Sequence, residues 1–217
     1  MDNLFKDIFE DLFPDLSKKT TLQKEGDAAF ELSYWLKKLN THGEEIILSE
    51  KTKIGENIII YRHSIEEDNS VISLLSCIFS NEGVNSFTPS LSLIYKKMYE
   101  IMEIADIRMN DKDANKGYGS SLMKAMFLAI ERYPLPYKYI TGWISGVDWH
   151  HVERNQHFYE KFGFSVDLNH DIDEGTILWI NPLNSGTLEH YRSLNYKPGF
   201  EGLIKEIDDE ERQKNNK

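Results

Sequence analysis

The sequence predicts an α/β fold, with a mixed, mostly antiparallel central sheet flanked by helices, and three observations carry that prediction. Three short β-rich runs, EEIILS, ENIIIYRHS and SVISLLSCIFS, are separated by turns whose lengths suit an antiparallel meander. A longer run, YEIMEIADIRMN, passes through polar residues and glycines into an amphipathic helical stripe. Beyond it, strand-like and helix-like segments alternate again, so the centre of the chain reads strand, helix, strand, helix.

Taken in order, Leu4, Ile8 and Leu12 with Phe5, Phe9 and Phe13 recur at helical spacing until Pro14 stops them. A second helix is expected over 27–39, anchored by Trp35 and ended by NTHG. After the meander, NEGVNSFTPS reads as a loop. The helix over 118–132 carries Leu122, Met126 and Ile130 beside Met123 and Phe127 on one stripe, and YPLPY breaks it. YKYITGWIS supplies a strand and DWHHVERNQHFYEKFGF a helix; FSVDL and TILWINPL close a hairpin around NHDIDEG. After Leu183 the pattern weakens into an appendage or lid, and DDEERQKNNK has no apolar spacing and is expected to fray. The expected organisation is an N-terminal amphipathic extension over 1–24, a main domain over 25–183 and a C-terminal extension over 184–217 with a disordered end.

Composition narrows the function classes. A chain of 217 residues with 40% hydrophobic content can build one ample core. Cys77, its single cysteine, offers neither an internal disulfide nor a metal cluster, so a reducing, cytoplasmic setting is expected. The acidic start MDNLFKDIFEDLFPDL lacks the positive region of a secretory signal, and no window holds the roughly 18–20 apolar residues that span a bilayer. A formal charge of −11 repels polyanions, which disfavours bulk nucleic acid as a partner. The same field either concentrates cationic small molecules and basic peptides or serves solubility alone.

Two short segments carry chemistry. In NKGYGSSLM, Gly117 and Gly119 flank one aromatic where a helix opens, and a helix start offers unpaired N–H groups and a positive dipole end to an anion. Taken alone, the pair is either such a seat or a plain turn, because the third glycine of a dinucleotide fingerprint and the Gly-Lys-Ser/Thr ending of a P-loop are both missing. In NQHFYEKFGF, Tyr159 sits near a helix end and Gly163 terminates that helix. Together the two segments resemble the GNAT superfamily of acyl-CoA N-acyltransferases, whose first segment is Gln/Arg-x-x-Gly-x-Gly/Ala and whose second ends in FYEKxGF. The resemblance covers roughly residues 46–181 and is strongest over 103–164.

The resemblance implies the GNAT fold and acetyl-CoA as acyl donor, with no metal. It implies that the backbone of Ala114, Asn115, Lys116, Gly117, Tyr118, Gly119 and Ser120 holds the pyrophosphate, that Ile107 and Met109 pair through the main chain with the extended arm of CoA, and that Tyr159 protonates the departing thiolate. Departures are visible. The family's Gln/Arg position falls on Ala114, leaving Lys116, Arg108 or Lys112 to compensate, and the asparagine usual seven residues before the tyrosine is Val152. Asn155, on the same helix face as Tyr159, either reaches the cofactor from the adjacent turn or bonds within the core.

An attacking amine must be neutral, the tetrahedral oxyanion stabilised and the sulfur protonated. A free lysine-like amine titrates near 10.4, so a base is needed at neutral pH. Glu103 is favoured for that role because the family often uses a glutamate on this strand; Asp106 or a water remain alternatives. On an uninterrupted strand, Glu103 and Asp106 have opposite parity and cannot face one cleft. A phenol pKa of about 10 lies near the roughly 8.5 of a thiol, which suits Tyr159 as the acid. Backbone N–H groups over 107–109 are the expected oxyanion donors. His150, His151 and His157 lack ligand spacing for zinc, Cys77 reads as a buried inert thiol, and Trp143 and Trp149 line an acceptor pocket or belong to the core.

The expected function is transfer of an acetyl group from acetyl-CoA to a primary amine of a small cationic molecule, a peptide or a protein. The alternative is a GNAT-like domain that binds acyl-CoA or a protein partner without turnover. Homodimerisation through the apolar N-terminal helix is compatible with either.

Overall fold

The computed structural model describes residues 28–63, 70–80 and 83–199. The helix expected before Pro14 and the frayed end expected in DDEERQKNNK lie outside them. The chain runs α1 (Ala28–Thr41), β1 (Glu45–Lys51), β2 (Asn57–His63), β3 (Val71–Ser80), β4 (Gly83–Lys96), β5 (Ile101–Arg108), α2 (Tyr118–Arg132), β6 (Tyr139–Ile144), α3 (Val152–Glu160), β7 (Ser165–Asn169), β8 (Glu174–Ile180) and α4 (Leu188–Ser193). None of the described helices is long and apolar enough to cross a membrane.

All strands join one eight-stranded sheet in the order β1-β2-β3-β4-β5-β6-β8-β7. The β5–β6 pair is parallel and every other neighbour antiparallel. That pattern follows from the connections: the short chain lengths between the meander strands permit antiparallel neighbours, whereas the crossover through α2 returns the chain parallel to β5.

β4 corrects the expectation of a loop at NEGVNSFTPS, since Gly83–Lys96 forms a strand of 14 residues. Its later half alternates strictly, Leu91 and Leu93 being buried while Ser90 and Ser92 are half-exposed. Pairing along both edges, with β3 and β5, overrides the weak strand preference of its serines and asparagine. The expected helix over DWHHVERNQHFYEKFGF also differs, because its first part, Gly146–His151, is a 3-10 segment before α3 begins at Val152.

Alternation along the strands divides the core in two. Ile58, Ile60, Ile72, Leu74, Leu93 and Ile104 turn to the face packed by Leu122, Met123 and Met126 of α2. Ile59, Tyr61, Cys77 and Phe79 turn to the other face, where Leu32, Trp35, Leu36 and Leu39 of α1 cover them. Burial pushes the Cys77 thiol up to about 12, with Lys38 opposing weakly, so it is an inert core group.

The segment after β8 is a strap on that second face. Asn184 Nδ2 donates to the Tyr137 carbonyl at 2.6 Å, Tyr139 Oη donates to the Thr187 carbonyl at 3.0 Å, and the Tyr139 and Tyr191 rings meet at 5.2 Å. Thr187 caps α4 by accepting from the His190 amide at 3.1 Å. A Cβ on Gly186 would lie 2.8 Å from the Lys138 carbonyl, which shows how closely the strap's backbone presses on the sheet.

Leu122 is fully buried at the centre of the larger core, whereas Leu128 on the same helix is exposed. Leu122→Ala is expected to destabilise the fold by about 2–5 kcal/mol and Leu128→Ala by no more than about 1 kcal/mol, as read from urea unfolding midpoints at constant slope.

Candidate functional site

The site grows from one irregularity in β5. Asp106 pairs with Ser92 and Ile104 with Leu93, so Ala105 is an extra residue opposite a single step of β4. Glu103 pairs with Ile94, two residues from Ser92. The bulge therefore restores Glu103 and Asp106 to the same face and corrects the parity expected of an uninterrupted strand. Beyond the bulge, β5 also loses its other neighbour. It is registered with β6 only from Ile101 against Tyr139 to Ile104 against Gly142, after which β6 continues with β8 alone. The two strands part, and the backbone over 105–108 has no β6 partner.

The freed end of β5 leads into the glycine turn. Met109 lies just past the strand and is exposed. Asn115 and Gly117 both adopt positive φ, 62° and 98°. Gly117 is the N-cap of α2 and brings no side-chain cap to it. Its missing side chain matters: a Cβ there would sit 3.3 Å from the backbone nitrogen of Lys53 in the β1–β2 turn, and one on Gly119 would sit 3.2 Å from the Phe158 ring of α3. Both glycines thus admit close neighbours from within the chain, and Tyr118 and Gly119, which open α2, are buried in a narrow corner between them.

Charged groups surround this corner. Lys116 Nζ lies 2.8 Å from Asp113 Oδ1, Asn110 Nδ2 donates to Asp113 Oδ2 at 3.2 Å, and Lys161 Nζ donates to Ser120 Oγ at 3.2 Å. Burial alone would raise the Asp113 carboxyl; its hydrogen bonds from Lys116 and Asn110 and the charges of Lys116 and Lys112 outweigh that and hold it below the usual carboxylate range. Tyr118 donates to Glu56, and burial followed by that carboxylate pushes its phenol above the ordinary range. Ala114 is half-buried and Asn115 exposed.

Tyr159 lies one turn after the half-buried Asn155 on α3, packed against Phe158 and Phe164 at ring separations of 5.3 Å and 5.8 Å. The helix ends as its sequence implies: Gly163 takes φ 84° and the Phe164 amide donates to the Tyr159 carbonyl at 3.2 Å. Burial first, then the negative charges of Asp148 and Asp106, push the Tyr159 phenol up to about 12. One of those carboxylates lies on the freed stretch of β5 and the other just past the end of β6. Tyr159 therefore stands in the field of one carboxylate on β5 and one on the 3-10 segment that follows β6.

Glu103 has other company. It is 3% exposed, is registered with Thr141 of β6, and accepts from the Tyr196 hydroxyl of the strap. Tyr191, also on the strap, meets Thr141 Oγ1 at 3.1 Å. Asp106 instead engages Arg108 at 2.5 Å.

Two residues beyond Thr141 on the same face of β6 stands Trp143, 41% exposed, at the floor of a cleft of about 540 Å³. Trp143, Thr176 and Asp167 form one row across β6, β8 and β7, and His170, Asp171 and Glu174 of the hairpin complete an acidic wall. Trp149 packs on the His170 ring at 5.2 Å instead of joining Trp143. The His150 and His151 rings meet at 3.9 Å, tilted by 44°. Among the described residues, no group of three or more His, Cys, Asp or Glu side chains is arranged to hold a metal ion.

Sequence reasoning missed Lys53, Asp148, Lys161, Tyr191 and Tyr196. Lys161 lies inside FYEKFGF and was open to notice. Lys53 and the two tyrosines come from a turn and a strap whose docking no local spacing encodes.

The Asp113 pair carries a pH signature. Its folded carboxyl titrates below the unfolded value of about 3.9, so its contribution to stability is complete above that value and is lost as pH falls through the folded one. Asp113→Asn is expected to flatten the acid side of the stability curve below about pH 4 in urea unfolding measured from pH 2 to 7.

No family model matches this chain. A curated relative, "Uncharacterized protein YocC" of Bacillus subtilis (strain 168), is 36% identical over 110 residues, which are 51% of this chain and 61% of the relative. The match thus spans less than two thirds of that protein. Among solved structures, a domain from Methanocaldococcus jannaschii DSM 2661 superposes with a TM-score of 0.39 at 14% identity, over 54% of this chain and 70% of that one. A nourseothricin acetyltransferase superposes with a TM-score of 0.36 at 13% identity, over 62% of this chain and 81% of that one.

Proposed function

We propose that this chain is a GNAT-type N-acetyltransferase that moves an acetyl group from acetyl-CoA to a primary amine of a small cationic molecule or a peptide, by direct attack in a ternary complex. The observation that carries this reading is the parting of β5 and β6 on the way to the start of α2, which has no side-chain cap, with Tyr159 in the field of Asp106 of β5 and Asp148 past β6. A gap between two strands admits an extended thioester arm beside Ile107, whose main chain pairs with β4 and has no β6 partner, and the first amides of α2 receive a diphosphate. Lys161 adds positive charge, while Asp113 is paired with Lys116 and Glu56 accepts from Tyr118. The corner fits an anionic cosubstrate.

The amine nitrogen bonds to the thioester carbon as the carbonyl oxygen becomes an oxyanion; collapse then breaks the carbon–sulfur bond. Glu103 takes the proton lost by the nitrogen, and the sulfur receives one from the Tyr159 phenol, which solvent restores. The raised phenol stays protonated throughout the neutral range, but it is a weaker acid than a free phenol and so lies further from a thiol's roughly 8.5 than the sequence implied. Its contribution is a hydrogen bond to sulfur that strengthens as negative charge develops there, with transfer completed as the bond breaks. The acidic, tryptophan-floored cleft on the Glu103 face suits a cationic acceptor, through carboxylates and a cation–π contact.

Release of free CoA from acetyl-CoA is to be measured with a panel of polyamines, aminoglycosides and basic peptides, alongside calorimetric binding of CoA. Turnover is expected on at least one cation, with Tyr159→Phe lowering kcat about 10²-fold or more while CoA affinity is retained. Tight CoA binding without turnover on any amine would instead establish a binding domain, and absence of CoA binding would reject both.

A further inference from the structure

Glu103 is a buried carboxylate on the outer face of the sheet, and burial by itself favours the protonated form, which cannot accept a proton from an amine. A hydrogen bond donated to the ionised form works the other way. The donor is Tyr196, which lies 93 positions along the chain and is delivered by the strap. We propose that Tyr196 is a positioning residue for Glu103: its phenol keeps the carboxylate ionised and fixes its direction on the sheet, so that the C-terminal strap is a working part of the acceptor side. This rests on the reading of Glu103 as the base.

The strap is built to hold that phenol in place. Asn184 is tied to the Tyr137 carbonyl, and Thr187 is tied twice to Tyr139, at 3.0 Å and 3.2 Å. Gly186 presses against Lys138, and Tyr191 meets Thr141, the residue registered with Glu103 on β6. The Tyr196 ring then leans on Tyr99, just before β5, at a centroid distance of 5.0 Å. The contact with Tyr99 and the bond to Glu103 together direct the hydroxyl toward one carboxylate oxygen.

Other ionisable groups share this face. Lys96 of β4, buried, stands two residues from Ile94, the register partner of Glu103, and its charge also favours the ionised carboxylate. Asp106, returned to the same face by the bulge, opposes it and is drawn toward Arg108. Tyr139 flanks Thr141 on β6, and Tyr191 of the strap is pushed up by burial and by Glu103 itself. Of the two strap phenols, Tyr196 bonds the carboxylate and Tyr191 bonds Thr141.

The test is Tyr196→Phe, which keeps the ring against Tyr99 and removes only the hydroxyl, with Tyr191→Phe as the control on the same strap. The Glu103 carboxyl is titrated by 13C NMR in each full-length protein, its signal assigned by its loss in Glu103→Gln, and the pH dependence of kcat/KM is recorded on the best amine. The expected result is an upward move of the Glu103 titration by about 1–2 pH units in Tyr196→Phe, with the acid limb of kcat/KM moving alike. Tyr191→Phe is expected to leave the titration within a few tenths of a unit. An unchanged Glu103 titration in Tyr196→Phe overturns the proposal, and so does a moved titration with an unmoved acid limb. A moved titration in a protein that turns over no amine upholds the hold of Tyr196 on Glu103 and overturns the acetyltransferase reading instead.

Discussion

The site depends on how β5 ends. A parallel pair inside an otherwise antiparallel sheet needs a crossover to close it, and here the crossover helix α2 starts only ten residues after the last residue of β5 that pairs with β4. Along its first half β5 is bonded on both edges; beyond the bulge at Ala105 it keeps only β4. Extra twist at a bulge turns the strand away from its parallel partner, which opens a gap without unpairing the rest of the sheet. The same extra residue decides which side chains meet: it returns Asp106 to the face of Glu103 and leaves Ile107 opposite Leu91 on the core side.

Electrostatics around the gap divide into two regions. On the α2 side, two acidic groups are paired locally, Asp113 with Lys116 and Glu50 with Lys124 and Ser121, while Glu56 accepts from the Tyr118 hydroxyl and keeps its charge. The proposed diphosphate seat relies on the helix dipole of α2 and on Lys161 against the field of a chain of net charge −11. On the outer face the balance reverses. Asp167, Asp171 and Glu174 wall a cleft floored by Trp143, and the net acidity of the chain adds to their field. An anionic donor on one side and a cationic acceptor on the other is the arrangement the proposed transfer requires.

Much of the fold was legible from spacing. The meander, the helix at 118–132, the hairpin around NHDIDEG and the glycine-ended helix carrying Tyr159 all follow from periodicity and turn residues that act over a few positions. β4 was obscured because its first half is polar and contains Pro89, although the alternation of Ser90 to Leu93 carried a strand signal. The weakly patterned segment after Leu183 was the least legible, since its tyrosines dock individually on Tyr99, Tyr139, Thr141 and Glu103 and so leave no periodic trace.

By itself the sequence determined most of the element types, β4 excepted, together with the buried stripe of α2, the positive-φ turn at Gly117 and the placement of Tyr159 at a helix end, because each is dictated by neighbours within one or two turns of chain. Only the tertiary structure decided that Ala105 is an extra residue, that β5 and β6 part, that Asp106 and Asp148 act on one phenol, and that Tyr196 reaches Glu103. Those outcomes depend on register and on packing between segments tens of residues apart, where the free energy belongs to the assembled sheet and is not encoded in any local window.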